Sequence, residues 1–137
     1  FIISFSVSSI TWASFLIKLA RYMNLKDSGI RSINPRAGFV NMDFTSTEKM
    51  SLPVKIKNYI LVPEEYLKKV LHLANLMLKK NKIKLDMLYQ VLLKLKEWTK
   101  ENLNTPDLSL FNSIVDKYRR KLRRMNEDIL EGWMRKI

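Results

Sequence analysis

The stretch that decides the predicted fold is TPDLSLFNSIVDKYRRKLRRMNEDILEGWMRKI, residues 105–137. Thr105, Pro106 and Asp107 open it, and they are typical of a helix N-cap, the first helical position and the first turn. Apolar residues then recur every three or four positions, which predicts one buried stripe along a long helix. The stripe consists of Leu108, Phe111, Val115, Tyr118, Leu122, Met125 and Ile129.

The other faces of this helix are strongly basic. They carry Lys117, Arg119, Arg120, Lys121, Arg123 and Arg124. Half of these cations have an acidic residue four positions away, where an ion pair on a helix contributes about 0.2–0.5 kcal/mol. The pairs are Asp116–Arg120, Arg123–Glu127 and Arg124–Asp128. A solvated helix face would tolerate this arrangement, but the total charge of the chain favours an anionic partner.

A second long helix is predicted from Glu64 to Lys100. Pro63 and the acidic Glu64 and Glu65 suit its N-terminus, and apolar residues keep helical spacing to about Trp98. The apolar positions are Leu67, Val70, Leu71, Ala74, Leu78, Leu85, Leu88, Leu92 and Leu95. A second basic cluster near the middle comprises Lys79, Lys80, Lys82 and Lys84. Residues 102–104 are only long enough to reverse the chain, so the two long helices are predicted to be antiparallel.

The N-terminal segment has no charged residue from Phe1 to Ile17. Ile3, Phe5 and Val7 alternate with serines, which is strand-like. Helical spacing then predicts a helix from about Ser9 to Leu25. The uncharged run is too short and too rich in serine to span a membrane. We expect an apolar arm of about residues 1–8 that either packs onto the core or is exposed and inserts into a membrane or a partner.

The stretch from about Ile30 to Val62 is the least periodic part of the chain. Asn34-Pro35 and Ala37-Gly38 indicate turns. We expect a loop with one or two short helical turns, one of them at Ser46–Met50. The predicted fold class is therefore all-α: residues 1–137 form one domain, an antiparallel bundle of about five helices, two of them long.

Composition limits the classes of function. The 137 residues include 25 Lys and Arg against 13 Asp and Glu, a net charge of +12 that favours an anionic partner. The chain has no cysteine, which excludes disulfides and thiolate metal sites. His72 is the only histidine, and three glycines cannot build a phosphate-binding loop. With no metal-ligand spacing either, the sequence predicts no enzyme, catalytic residue, metal or cofactor.

An anionic membrane surface is the favoured partner at this point. The chain lacks helix-turn-helix, zinc-finger and aromatic RNA-binding motifs, so nucleic-acid binding is expected only as an incidental effect at low salt. Basic side chains attract anionic headgroups by about 1 kcal/mol each, and the predicted contacts are the two lysine- and arginine-rich clusters already given. Apolar side chains would then insert or contact a partner. The candidates are Phe1, Ile2, Ile3, Phe5, Trp12, Trp133 and Met134.

Several segments together resemble a known family. They are the helix of Leu61–Lys100, the turn Asn104-Thr105-Pro106, the spaced residues Phe111, Ile114, Tyr118-Arg119-Arg120-Lys121-Leu122 and Ile129-Leu130, and the weaker matches Phe15–Lys18 and Ala37–Phe39. In this order they resemble the gastropod (abalone) sperm lysin family. The resemblance implies a secreted protein of the sperm acrosomal vesicle, with about five helices and no enzymatic activity. The uncharged N-terminal segment makes the chain look most like the fusogenic relative of lysin.

The predicted function is therefore a basic, amphipathic fertilization protein that binds and perturbs or fuses membranes at sperm–egg contact. One alternative is lysin-like binding and dissolution of the egg vitelline envelope. Another is a helical nucleic-acid-binding or assembly subunit. The expected partners are anionic membrane lipid or an egg-surface or egg-envelope glycoprotein, with a homodimer as a further expectation.

Overall fold

The computed structural model describes residues 1–134, with side chains through Gly132. In chain order the elements are β1 (Ile2–Val7), α1 (Ile10–Tyr22), β2 (Gly29–Asn34), β3 (Phe39–Thr45), β4 (Lys55–Ile56), β5 (Tyr59–Ile60), α2 (Glu64–Glu101), a 3-10 helix (Leu108–Phe111) and α3 (Asn112–Met134). The protein therefore has an α+β fold. The prediction of an all-α bundle of about five helices is wrong.

The predicted N-terminal arm is the edge strand of a sheet. Strand β1 pairs antiparallel with β3, and β2 pairs with the other edge of β3, so the order is β1-β3-β2. Cross-strand partners on the core face are Ile3 with Phe44, Phe5 with Met42, and Val7 with Val40. The alternation of Ile3, Phe5 and Val7 with serines is thus that of a half-buried strand, with the serines on the other face.

Helix α1 confirms the helix predicted from about Ser9, although it ends earlier than expected. The Ser9 hydroxyl accepts a hydrogen bond from the backbone N–H of Trp12 at 3.2 Å, which satisfies one of the free donors at the helix start. The helix ends at Tyr22, and Asn24 then adopts a left-handed conformation with φ 62°. This conformation turns the chain back at the end of the helix. The backbone N–H of Leu25 then donates a hydrogen bond to the carbonyl of Ala20.

The stretch predicted as a loop contains the hairpin of β2 and β3. Its turn forms where Ala37-Gly38 indicated one: Gly38 has φ +74°, and the side-chain oxygen of Asn34 accepts from the N–H of Ala37 at 2.9 Å. In β3 the buried Val40, Met42 and Phe44 alternate with polar residues, a period of two. Residues 46–50, by contrast, form no helical turn, so that expectation is wrong.

The core lies between the sheet and the helices. Val40, Met42 and Phe44 of β3 belong to one buried cluster with residues of all three helices. Two ring contacts cross it: Phe5 lies 4.7 Å from Phe44, and Phe15 of α1 lies 6.5 Å from Phe111. Aromatic pairs at these distances contribute about 0.5–1.5 kcal/mol beyond their buried area. The core therefore joins β1, β3, α1 and the start of α3 into one packed unit.

Helix α2 confirms the single long helix predicted over Glu64–Lys100, but its buried side differs from the predicted stripe. The fully buried residues occupy only its second half: Lys84, Met87, Leu88, Val91 and Leu95. Leu71 and Leu78 of the predicted stripe are 64% and 65% exposed. Within residues 1–134, no helix combines the length and apolar character needed to cross a membrane.

Helix α3 follows the predicted basic and apolar pattern but starts later. Asp107, rather than Thr105, caps the 3-10 helix by accepting the Ser109 backbone N–H at 2.8 Å. This hydrogen bond lowers the pKa of the Asp107 carboxyl. Helix α3 then begins at Asn112 and packs Val115 into the core beside Phe111. The helix cap predicted at Thr105 is therefore provided by Asp107, and it belongs to the short 3-10 helix that precedes α3.

The outer face of the sheet carries a chain of polar contacts across all three strands. The Ser6 hydroxyl donates to Asn41 Oδ1 at 2.6 Å, and Asn41 Nδ2 donates to the Ser32 hydroxyl at 2.9 Å. Beside them Asp43 accepts from the side chains of Ser4 and Arg31. The Ser4 hydrogen bond, with the Arg31 guanidinium, lowers the pKa of the Asp43 carboxyl.

We predict that Asp43 makes stability depend on acid pH. Because the folded-state pKa is depressed, the stabilisation is fully present above the ordinary pKa of aspartate, near 4, and is lost as pH falls through the folded value. Chemical unfolding measured between about pH 6 and pH 2 should show the D43N variant losing less stability on acidification than the parent chain. Parallel pH profiles for the two proteins would contradict the assignment.

Candidate functional site

The four lysines of the α2 cluster do not share one exposed surface. Lys79 and Lys82 are exposed, Lys80 is half-buried, and Lys84 is only 2% exposed. The Lys84 ammonium lies 2.7 Å from Oε1 of Glu48, and Lys80 Nζ lies 3.8 Å from the same oxygen. Lys80 and Lys84 are one helical turn apart, so both reach one carboxylate. Two of the four lysines predicted to bind an external anion, Lys80 and Lys84, therefore pair with the Glu48 carboxylate inside the protein.

Glu48 belongs to the segment that leaves β3 and crosses α2. Thr47 lies beside it, with Oγ1 3.5 Å from Lys84 Nζ. Three buried oxygen atoms on these elements have no hydrogen-bond partner among the described residues: Thr45 Oγ1, Glu48 Oε2 and Asn81 Oδ1. Buried acceptors of this kind commonly bind ordered water. We call Thr47, Glu48, Lys80 and Lys84, which the ion pairs and the Thr47 contact join, the buried ion cluster.

The acidic residue of this cluster, Glu48, was not identified from the sequence. The spacing of apolar residues does, however, indicate that its lysine, Lys84, is buried. Lys84 lies four residues before Leu88 and seven before Val91, so helical spacing places its side chain on the buried face. A lysine in that position requires a partner, because an unpaired buried charge is strongly unfavourable. Nothing in the sequence identified Glu48 as that partner.

The buried ion cluster generates a stability prediction. Either E48Q or K84M leaves the other charge poorly compensated, and breaking a buried pair from one side costs about 3–5 kcal/mol. Removing both partners together should cost markedly less than the sum of the single changes. Urea unfolding of the two single variants and the double variant measures this coupling. Additive effects would show that Glu48 and Lys84 do not depend on each other.

An open basic groove lies between α3 and α2, with a volume of about 600 Å³. Its lining combines four cations and one carboxylate with two apolar residues: Lys117, Arg120, Lys121, Arg124, Asp128, Ile83 and Met125. Ile83 is the contribution of α2, and the exposed Lys79 lies one helical turn before it. The groove therefore has a strongly positive wall on α3 and a further cation near its α2 side.

The ion pairs predicted along α3 are not formed. Within residues 1–134, no carboxylate lies within 4 Å of a cation that lines the groove. Arg120 donates instead to the backbone carbonyl of Asp116 at 3.3 Å, and Lys117 Nζ lies 5.8 Å from the Tyr118 ring. These cations therefore form no close ion pair with the acids of their own helix, although Asp128 lines the same groove.

Arg119 differs from its neighbours because it holds α3 against α1. Its guanidinium donates to the backbone carbonyl of Tyr22 at 2.7 Å and lies 4.9 Å from the centre of the Tyr22 ring. The Tyr22 hydroxyl in turn donates to Asn112 Oδ1 at the start of α3. Arg123 is exposed and does not line the groove. Of the six basic residues predicted on α3, four thus come together in one place.

The residues predicted to insert into a membrane or contact a partner lie in different environments. Phe1, Ile3, Phe5 and Trp12 pack against the core, whereas Ile2 is 67% exposed on the outer face of β1. Trp133 and Met134 end α3, and their side chains lie outside the described part of the chain. Of the five predicted residues whose side chains are described, four are therefore partly buried against the core and only Ile2 is exposed.

Candidate metal ligands are likewise scattered. Among the described residues, no group of three His, Asp or Glu side chains is placed to hold a metal ion. His72 is exposed on the first half of α2. The two charged features of this α+β unit are the buried ion cluster and the open basic groove. Such a groove is suited to an anionic ligand.

Comparison with known proteins supplies the family. A family model described as methyltransferase TYW3 matches residues 1–94. A curated protein of Thermococcus sibiricus (strain DSM 12597 / MM 739), named tRNA(Phe) 7-((3-amino-3-carboxypropyl)-4-demethylwyosine(37)-N(4))-methyltransferase, is 33% identical over 96 residues. The chain belongs to the TYW3 methyltransferase family. No solved structure matches it.

The two comparisons cover different shares of the proteins involved. The alignment with the Thermococcus protein includes 70% of this chain but 48% of that relative. The chain thus spans about half the length of the curated relative it matches. The family match contains the three-stranded sheet, α1 and most of α2, including the buried ion cluster, whereas α3 lies beyond it.

Membership of this family overturns the resemblance to gastropod sperm lysins. The family is one of methyltransferases, so the prediction that the chain is not enzymatic is wrong. The expected secretion, acrosomal location, membrane fusion and envelope dissolution are wrong with it, as are lipid and egg glycoprotein as partners. A merely structural nucleic-acid-binding or assembly subunit has no support either. The segments that suggested lysin are amphipathic basic helices, a pattern that unrelated helical proteins share because burial requires it.

Proposed function

We propose that this chain takes part in methyl transfer to a modified base of tRNA(Phe), at N(4) of a 4-demethylwyosine derivative. The observation that carries the proposal is the family match over residues 1–94. The relative from Thermococcus, whose name describes this reaction, supports the choice of substrate. In this proposal tRNA is the principal macromolecular partner rather than an incidental ligand.

The location of the match supports the proposal physically. Residues 1–94 correspond to a packed unit in which β1, β2 and β3 carry α1 and are tied to α2 through Glu48 and Lys84. Similarity that covers a whole sheet with its covering helix is what a shared fold requires, since strand pairing and the core must be kept together. A match confined to amphipathic helices would not carry the same weight.

A methyl donor, such as the sulfonium compound S-adenosylmethionine, supplies an electrophilic methyl group to reactions of this class. The buried ion cluster does not fit a molecule of that size, because the paired side chains of Glu48 and Lys84 are only 8% and 2% exposed. The basic groove is open, but four cations would repel a positively charged sulfonium. The methyl donor is therefore assigned to neither site.

The test is a methyl-transfer assay with the full chain. The substrate is tRNA(Phe) that carries 7-(3-amino-3-carboxypropyl)-4-demethylwyosine at position 37, and the donor is S-adenosylmethionine with a labelled methyl group. We expect label to enter the tRNA, and mass spectrometry of the digested nucleosides should place one added methyl group on the modified base.

The matched control is the same tRNA(Phe) with an unmodified base at that position. Label should not enter it, because the unmodified base lacks the demethylwyosine modification that the proposed substrate carries. Equal labelling of both tRNAs would contradict the proposed substrate. No transfer to either tRNA by a folded preparation would contradict the proposed activity.

A further inference from the structure

Resting on the proposed function, we propose that the groove between α2 and α3 binds the phosphate backbone of tRNA. The proposal concerns Lys117, Arg120, Lys121 and Arg124, which line one groove. All four lie on α3, beyond the residues that match the family. The groove would therefore be an RNA-binding surface whose cations lie outside the part of the chain that matches the family.

Helical geometry aligns the cations with a linear anion. Lys117, Lys121 and Arg124 occupy positions i, i+4 and i+7 of α3, so they form a row on one face. At a rise of about 1.5 Å per residue, the row is about 10 Å long. Arg120 lies beside it. A row of positive charges on a rigid helix can contact successive phosphates of one strand without ordering a loop first.

The state of these side chains also favours an external anion. They are exposed, and within residues 1–134 no carboxylate is close enough to pair with them, although Asp116 and Asp128 are at helical pairing distance in sequence. Binding a polyanion to such side chains releases the counterions condensed on it, which is the main source of non-specific affinity for nucleic acid. The groove thus carries four cations against the single carboxylate of Asp128, an excess of positive charge in one place.

The shape of the site favours RNA over a lipid surface. The cations line a concave groove whose apolar members, Ile83 and Met125, are partly buried. A planar layer of headgroups contacts convex, exposed faces, and stable adsorption also needs apolar side chains that can enter the layer. Among the residues that line the groove only Ile83 and Met125 are apolar, and both are partly buried, whereas the ridge of a nucleic-acid backbone can enter the groove.

The experiment compares two variants of the full chain that change charge equally. The groove variant is K117Q/K121Q/R124Q. The control variant is R36Q/K55Q/K57Q, which alters three exposed cations that do not line the groove. Both remove three positive charges from exposed positions, where substitutions usually change stability by less than about 0.5 kcal/mol. Circular dichroism and thermal unfolding establish that both variants fold.

Binding of unmodified tRNA(Phe) transcript is measured at several salt concentrations. We expect the groove variant to bind about 10- to 100-fold more weakly near 0.1 M salt, with the slope of log K against log salt reduced by about 2–3. The control variant should keep the parent slope. Equal losses in the two variants would overturn the proposal, because binding would then follow total charge rather than the groove.

Anionic phosphatidylserine vesicles form the second arm. If the groove variant binds vesicles more weakly than the parent chain but binds tRNA equally well, the proposal is overturned in favour of a lipid surface. The methyl-transfer assay remains separate from these measurements. A chain that transfers no methyl group but binds tRNA through the groove would support this inference while contradicting the proposed function. If the parent chain methylates tRNA but the groove variant binds tRNA as tightly as the parent, the proposed function is supported and this inference is contradicted.

Discussion

Strand β3 is the element on which the rest of the structure depends, because both of its edges and both of its faces are used. Its edges bond to β1 and β2. One face buries Val40, Met42 and Phe44 against the helices, and the other holds Asn41 and Asp43 in contact with both neighbouring strands. A three-stranded sheet with one apolar face is stable only when helices cover that face. The positions of α1, α2 and the start of α3 follow from this requirement.

The buried ion cluster extends the influence of β3 to the long helix. The chain leaves β3 at Thr45 and presents Glu48 to Lys80 and Lys84 of α2 within a few residues. Replacing a buried ion pair with apolar residues is often neutral or stabilising, so such a pair is weak evidence for a gain in stability. We infer that its main effect is on specificity: a lysine on the apolar side of α2 can be buried in only one register against the sheet.

Charge is distributed unevenly in this basic protein. Some cations serve the fold: Arg31 bonds to Asp43, Arg119 joins α3 to Tyr22, and Lys84 neutralises Glu48. The four that line the groove form no ion pair with a carboxylate among the described residues, and Arg120 bonds only within α3, to the backbone carbonyl of Asp116. The net charge of +12 alone therefore overstates the number of cations available to a ligand. The arrangement of the free ones is more informative about function than the total, because a local row of charge binds a polyanion more strongly than dispersed charge.

Local sequence predicted the three α-helices, although it also predicted a helical turn at Ser46–Met50 that does not form. Apolar spacing predicted α1 and α3, and Pro63 and Glu64 predicted the start of α2, since capping and helical spacing involve residues within about four positions. The sheet could not be derived in the same way. Ile3 pairs with Phe44 some forty residues away, and an alternating segment such as 3–7 is equally compatible with an unpaired arm until its partner strand is known.

The candidate sites show the same division. The sequence by itself determined that the chain is basic and that α3 has one positive side, because both properties follow from composition and from a period of 3.6 residues. Only the tertiary structure decided that Lys84 is buried against Glu48, that Arg119 is used in packing, and that four cations share a groove. The physical reason is that a helix fixes the relative directions of its own side chains, whereas their exposure depends on which other elements pack against it.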